Sequence, residues 1–152
     1  MSYEARLAER GIALPPTPQP VALYAPAVKV GAFLFVSGQI ARHEGKLVHP
    51  GKLGREVTVA QGREAARTAI LNVLAAAKGA LGSLDNVERV VRLAVYVASA
   101  EGFVEQPQVA DGASELLVEV FGQNGLPARA AIGVAELPVG TCVEIEAIFE
   151  VK

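Results

Sequence analysis

The sequence is short of the residues on which several kinds of chemistry depend. Its one cysteine, Cys142, can form no disulfide within the chain, which fits a reducing compartment, read here as the cytosol. Its two histidines, His43 and His49, stand in a loop-like stretch with no cysteine pair or acidic triplet beside them, so they read as surface residues and no metal site is expected. There is no glycine-rich phosphate loop, because the glycines at 31, 38, 45, 51 and 54 punctuate turns without opening a helix, and nucleotide cofactors find no support. Basic runs are absent too: 14 Lys and Arg are scattered against 16 Asp and Glu, and a net charge of −2 disfavours nucleic acid, which needs a basic footprint to release counterions. No window approaches the roughly 18 apolar residues of a membrane span. Residues 1–11 mix charges with apolar residues and do not read as a secretory signal.

What the chain does have is apolar surface. Of its 152 residues, 51% are hydrophobic, enough to close one sizeable core in a single domain. With no tryptophan and few other aromatics, that surface is mostly Val, Ala and Leu, more than a monomer of this size easily hides. Self-association is the simplest outlet.

Ser2 is placed to cap a short helix through Glu9 that Gly11 stops, and the proline-rich stretch at residues 14–20 reads as an extended spacer, so residues 1–20 stand apart from a domain at 21–152. Residues 23–30 and 33–39 are rich in β-branched and aromatic residues and form a hairpin about Gly31 and Ala32. A second turn follows at residues 43–46. Thr58 and Gln61 match a capping box, and Ala66, Ile70, Val73, Leu74, Ala77 and Leu81 fall on one side of the helix it opens, which Gly82 ends.

Residues 87–98 alternate as a long strand, with Val91, Leu93, Val95 and Val97 on one face and Arg92, Ala94 and Tyr96 on the other. Ala113, Leu116, Leu117, Val120 and Phe121 mark a second long helix, stopped by Gly122. Residues 130–135 and 143–151 then pair as a closing hairpin, the latter with a period of two. The expected architecture is α+β: one mixed sheet with two helices on a single face. Tyr24, Tyr96 and Glu144 are assigned to the other face, which suits a subunit interface with wet clefts.

Two strand residues could carry chemistry. Arg129 is a lone cation between Pro127 and an apolar strand, with no acid within six residues; such an arginine either snorkels to solvent or finds an anion in space, and its planar fork suits a carboxylate. Glu144 could lie near it, or be an ordinary outward strand residue. Cys142, in an apolar strand-end setting, reads as an inert small hydrophobe.

Three segments carry a resemblance: residues 35–40 (FVSGQI), residues 127–129 (PAR) and residues 143–148 (VEIEAI). From about Tyr24 onward the chain resembles the RidA family, also called YjgF-like or endoribonuclease L-PSP-like proteins; the N-terminal helix, the spacer and residues 109–121 are similar to a longer branch. The resemblance implies a chorismate-mutase-like fold assembled as a homotrimer, with clefts between subunits that bind a small carboxylate-bearing metabolite. It also implies hydrolysis of enamines and imines such as 2-aminoacrylate and 2-iminopropanoate to 2-oxo acids and ammonia, without metal or organic cofactor. On that pattern Arg129 holds the substrate carboxylate, Glu144 positions or activates water, and Tyr24, Ser37 and Gly38 line the cleft. A cysteine frequent in the family is here Ala131, which leaves that position a backbone-amide role and no thiol chemistry. A non-catalytic binder of 2-oxo acids and a ribonuclease or translation inhibitor stand as alternative readings, the last wanting a basic groove or a general-base histidine.

Overall fold

The structure, a computed structural model, describes residues 2–152. Helix α1 (Tyr3–Glu9) starts at Ser2, whose Oγ accepts from the Ala5 amide at 3.0 Å. It is docked on the rest of the chain: Leu7 is buried, Tyr3 meets Phe121 edge-on with ring centroids 4.7 Å apart, and the Tyr3 amide donates to Asp85 Oδ1 at 2.7 Å.

Strands β1 (Ala27–Val30) and β2 (Phe33–Ile40) form the expected hairpin, with Gly31 at φ +58 in its turn. The first strand begins later than the apolar run at residue 23 suggests. Pro20 and Pro26 lack the amide a ladder needs, and Val21 and Leu23 point outward, 91% and 106% exposed. Tyr24 therefore lies before the sheet and not on its face.

A small hairpin of β3 (Arg42–His43) and β4 (Lys46–Leu47) turns through Glu44 and Gly45, both at positive φ. Helix α2 (Val59–Leu81) opens on the capping box read from sequence: Thr58 Oγ1 accepts from the Gln61 amide and Gln61 Oε1 from the Thr58 amide. Strand β5 (Val87–Ala98), helix α3 (Gln106–Phe121), strand β6 (Ala128–Val134) and strand β7 (Val143–Val151) complete the order.

The main sheet runs β1-β2-β7-β5-β6, antiparallel except for the parallel β5–β6 pair. The expected closing hairpin does not form. Residues 135–142 step across the end of β5, so β7 enters between β2 and β5 while β6 takes the far edge. Burial explains the choice. Val143, Ile145, Ala147, Phe149 and Val151 are all buried, as a central strand requires, whereas β6 is small-residue and half exposed.

Helices α2 and α3 cover one face, over Leu93, Val95, Val97, Ile145 and Phe149. They cross closely at Gly112, where a Cβ would fall on the Arg63 carbonyl, and Arg63–Glu115 and Arg67–Glu119 ion pairs close the seam. A bulge between Val90 and Arg92 interrupts the alternation read along β5, so Val90 takes the core place assigned to Val91. The opposite face is uncovered and bears Val28, Val30, Phe33, Phe35 and Ile132, each between 43% and 61% exposed. Among the described residues no helix is long and apolar enough to cross a membrane.

Candidate functional site

A bulge in β2 builds the first part of the site. The β2–β7 register slips between Val36 and Gln39, which lifts Ser37 and Gly38 out of the ladder. Ser37 is tied to the incoming chain: its amide donates to the Pro26 carbonyl at 2.9 Å and its hydroxyl to the Ala25 carbonyl at 2.6 Å. That anchor holds Tyr24 beside β2. Tyr24, Ser37, Gly38 and Glu144 all line one cleft of about 880 Å³.

Glu144 enters that cleft from β7, close against the bulge. A Cβ at position 38 would stand 2.6 Å from Glu144 Oε1, so glycine there is what lets the carboxylate occupy its place. Among the described residues nothing hydrogen-bonds to the Glu144 carboxylate. Burial first, and then the neighbouring charge of Glu146, push its pKa above the ordinary glutamate value. Glu146 accepts a 2.8 Å hydrogen bond from the Tyr96 hydroxyl and also lines the cleft. Asn72 of α2 donates to the carbonyls of Ile40 and Arg42, fixing the end of β2.

Arg129 stands elsewhere. In the parallel ladder it lies opposite Leu93, on the helix-covered side, whereas Glu144 lies opposite Tyr96 on the uncovered side. The anion it finds is Asp111 of α3: Nη1 donates to Asp111 Oδ1 at 2.8 Å and to Ser114 Oγ at 3.0 Å, and Nη2 reaches the Pro107 carbonyl at 3.4 Å. These bonds occupy both Nη1 protons and one on Nη2. Nε and the second Nη2 proton have no hydrogen-bond partner among the described residues and can donate to a second carboxylate. Ala131, two residues along, packs half-buried against the core opposite Val95, on a strand whose outer edge has no partner among the described residues.

A single chain thus carries two separate parts: Tyr24, Ser37, Gly38 and Glu144 at the bulge, Arg129 and Ala131 at the far edge. Asp111 and Ser114 were not legible as partners of Arg129. Their i, i+3 spacing shows only that they share a helix face, and nothing in the sequence says that β6 passes beneath it. The remaining candidates stay outside both parts. His49 Nε2 lies 2.9 Å from Glu64 Oε2, and the buried Cys142 thiol is pushed up to about 11 by desolvation.

The mixed sheet, the two long helices on one face and the glutamate at the bulge define a chorismate-mutase-like α+β protein. The model of the family described as "YjgF/chorismate_mutase-like, putative endoribonuclease" matches residues 4–149, and the chain belongs to that family. The likeness thus extends well before Tyr24. Protein TCP17 of Trypanosoma cruzi is 44% identical over 149 residues, 97% of this chain and 93% of its own length. The 2-iminobutanoate/2-iminopropanoate deaminase of Dermatophagoides farinae is 30% identical over 144 residues, 95% and 98% of the two chains. The crystal structure of Atu1372, a protein of unknown function from Agrobacterium tumefaciens, superposes with a TM-score of 0.91 at 44% identity and covers 99% of this chain and 92% of that one.

Proposed function

We propose that the protein hydrolyses 2-imino acids, and the enamines that tautomerise to them, to 2-oxo acids and ammonia. The observation that carries this reading is Glu144: a carboxylate free of hydrogen-bonded partners among the described residues, set in a cleft with Tyr24, Ser37 and Gly38, with its pKa raised. A carboxyl poised nearer neutrality both takes and returns a proton. Relatives that carry the name 2-iminobutanoate/2-iminopropanoate deaminase support the choice of reaction.

The chemistry asked of these residues is modest. An enamine such as 2-aminoacrylate takes a proton at its terminal carbon and becomes the iminium of pyruvate. Glu144 then accepts a proton from water as its oxygen adds to the iminium carbon, giving a tetrahedral carbinolamine. Glu144 returns that proton to nitrogen and, again a carboxylate, takes the hydroxyl proton as the carbonyl forms and ammonia leaves, then loses it to solvent to match the proton taken up at carbon. Such proton transfer contributes about 10²- to 10⁴-fold, and a fixed carboxylate clamp adds orientation.

The clamp is the Nε–Nη2 fork of Arg129, supplied by a second copy of the chain. In one chain the two charges face opposite sides of the sheet, so substrate can touch both only across a subunit boundary. The uncovered face with Phe33, Phe35 and Ile132, together with the open edge of β6, supplies the apolar and backbone groups for that boundary. A homotrimer is the assembly this reading takes. The test is ammonia release from freshly generated 2-aminoacrylate, with Glu144→Gln as control. We expect turnover by the parent protein and at least about a hundredfold loss in the variant; equal rates in the two would leave a 2-oxo acid binder without this catalysis.

A further inference from the structure

Helix α1 bears polar contacts that its burial does not require. One end is tied to the turn before β5: Asp85 Oδ1 accepts from the Tyr3 amide at 2.7 Å and the Glu4 amide at 3.2 Å, and the Glu4 carboxylate accepts from the Leu84 amide and Lys78 Nζ, both at 2.9 Å. From that seat α1 holds the end of α3. Arg6 Nη1 donates to the Val120 carbonyl at 3.0 Å, the Tyr3 ring lies edge-on to Phe121, and the Tyr3 hydroxyl accepts from Asn124 Nδ2 at 3.4 Å. The last turn of α3 has no basic residue of its own, so Arg6 brings from another helix the cation that open carbonyls and the helix dipole favour there. The turn that follows is pressed on α3 as well: a Cβ at Gly125 would fall on the Leu117 carbonyl. Four residues beyond Gly125 stands Arg129.

We infer that α1 is a positioning element for Arg129: Tyr3 and Arg6 fix the end of α3 and the turn into β6, and through them the place of the guanidinium. The inference rests on the functional reading above, in which Arg129 holds a substrate carboxylate, and names residues that hold Arg129 in turn. Two lines run from α1 to it. Along α3, Val120 belongs to the same helix as Asp111 and Ser114, both of which accept from Arg129 Nη1. Along the chain, Asn124 precedes Arg129 by five residues, with Pro127 between them to stiffen the connection. The strand these lines reach needs such support. β6 is an edge strand, paired with β5 alone, so α3 and the entering turn restrain Arg129 where a second neighbouring strand would otherwise do so. Leu7, buried, is enough to seat α1 as an apolar helix; the Arg6 and Tyr3 bonds go beyond that to the end of α3.

Calorimetric titration with pyruvate reads the placing of Arg129 without requiring turnover. We expect Arg6→Ala to weaken binding about three- to tenfold, less than the roughly hundredfold that a clamp misplaced by about 1 Å can cost, and Tyr3→Ala to act in the same sense. Alanine has the highest helix propensity, so α1 persists in both variants. The deciding readout is a double-mutant cycle. Arg129→Lys keeps the charge and loses the planar fork, and Arg6→Ala added to it should change affinity by less than about twofold, because the group it positions is already gone. A residue that only stabilises the fold would show no such dependence on Arg129. Parental affinity in both Arg6→Ala and Tyr3→Ala, or the same loss in the Arg129→Lys background as in the parent, would overturn the inference. Failure of the functional reading shows separately: the parent would then bind no pyruvate, or Arg129→Lys would bind it as the parent does, and the inference would fall with that reading.

Discussion

Arg129 Nη1 lies 2.8 Å from Asp111 Oδ1, and that pairing, made between an edge strand and the helix above it, fixes which edge of the guanidinium faces outward. The pair is partly exposed, so its direct worth to folding is at most about 1 kcal/mol. Its consequence for ligand binding is larger. In Asp111→Ala the guanidinium is free to rotate away, and misplacing a clamp by about 1 Å costs up to about a hundredfold. We expect kcat/KM to fall about ten- to a hundredfold, mostly through KM, while the melting temperature stays nearly unchanged; Ser114→Ala should act in the same sense and more weakly.

Gly38 and Glu144 give a second prediction. Because a Cβ at position 38 would sit 2.6 Å from Glu144 Oε1, Gly38→Ala must displace the carboxylate, whose flexible end moves without disturbing the ladder. Turnover of an imino acid should fall at least about tenfold with little change in thermal stability. A Gly38→Ala protein of parental activity would show that the position of Glu144 is not critical.

The pH dependence of stability follows from the raised pKa of Glu144. The folded state binds this proton more tightly than the unfolded chain does. Stability from it is present below the unfolded glutamate pKa and is lost as pH rises through the higher folded value. Above that value the folded protein bears the cost of a partly buried charge beside Glu146. Glu144→Gln should therefore melt higher than the parent near pH 7, and the difference should shrink as pH falls toward 4. Calorimetric scans of both proteins across that range measure it.

The α2–α3 crossing is a packing claim open to the same kind of check. A methyl at Gly112 would meet the Arg63 carbonyl, a backbone atom that cannot turn aside. The gain in helix propensity from Gly to Ala is about 1 kcal/mol, and overpacking of this kind typically costs about 1–3 kcal/mol, with backbone clashes at or beyond the upper end. We expect Gly112→Ala to be destabilised on balance, with a melting temperature lower by several degrees. An unchanged or raised value would mean that the helices cross less closely.

Most of the fold was legible because local signals agreed with one another. The Thr58 capping box, the stop at Gly82, the stripe through Leu116 and Leu117 and the alternation of β7 each state an element without reference to its neighbours. Topology was less so: the insertion of β7 between β2 and β5 depends on which strand most needs burial on both sides, and adjacent strands in sequence suggested a hairpin instead. The Val90 bulge was hidden because a run of β-branched residues reads equally well in either register. In the site, the motif around Ser37 and Gly38 and the alternation around Glu144 pointed to the cleft. The partners of Arg129 did not show, since Asp111 and Ser114 reach it only through the packing of α3 on β6.

In the proposed function Arg129 and Glu144 serve one site from two different subunits, so two inactive proteins mixed together should restore activity. Arg129→Ala and Glu144→Gln, each alone, should lose at least about a hundredfold in imino acid hydrolysis. Coexpressed in equal amounts, they should form mixed assemblies in which some boundaries pair an intact Arg129 with an intact Glu144. In a cyclic assembly with random mixing about one quarter of the sites meet that condition, so the mixture should recover up to about one quarter of the parental rate. A mixture no more active than the separate variants would place both residues in sites built within one chain and contradict the account.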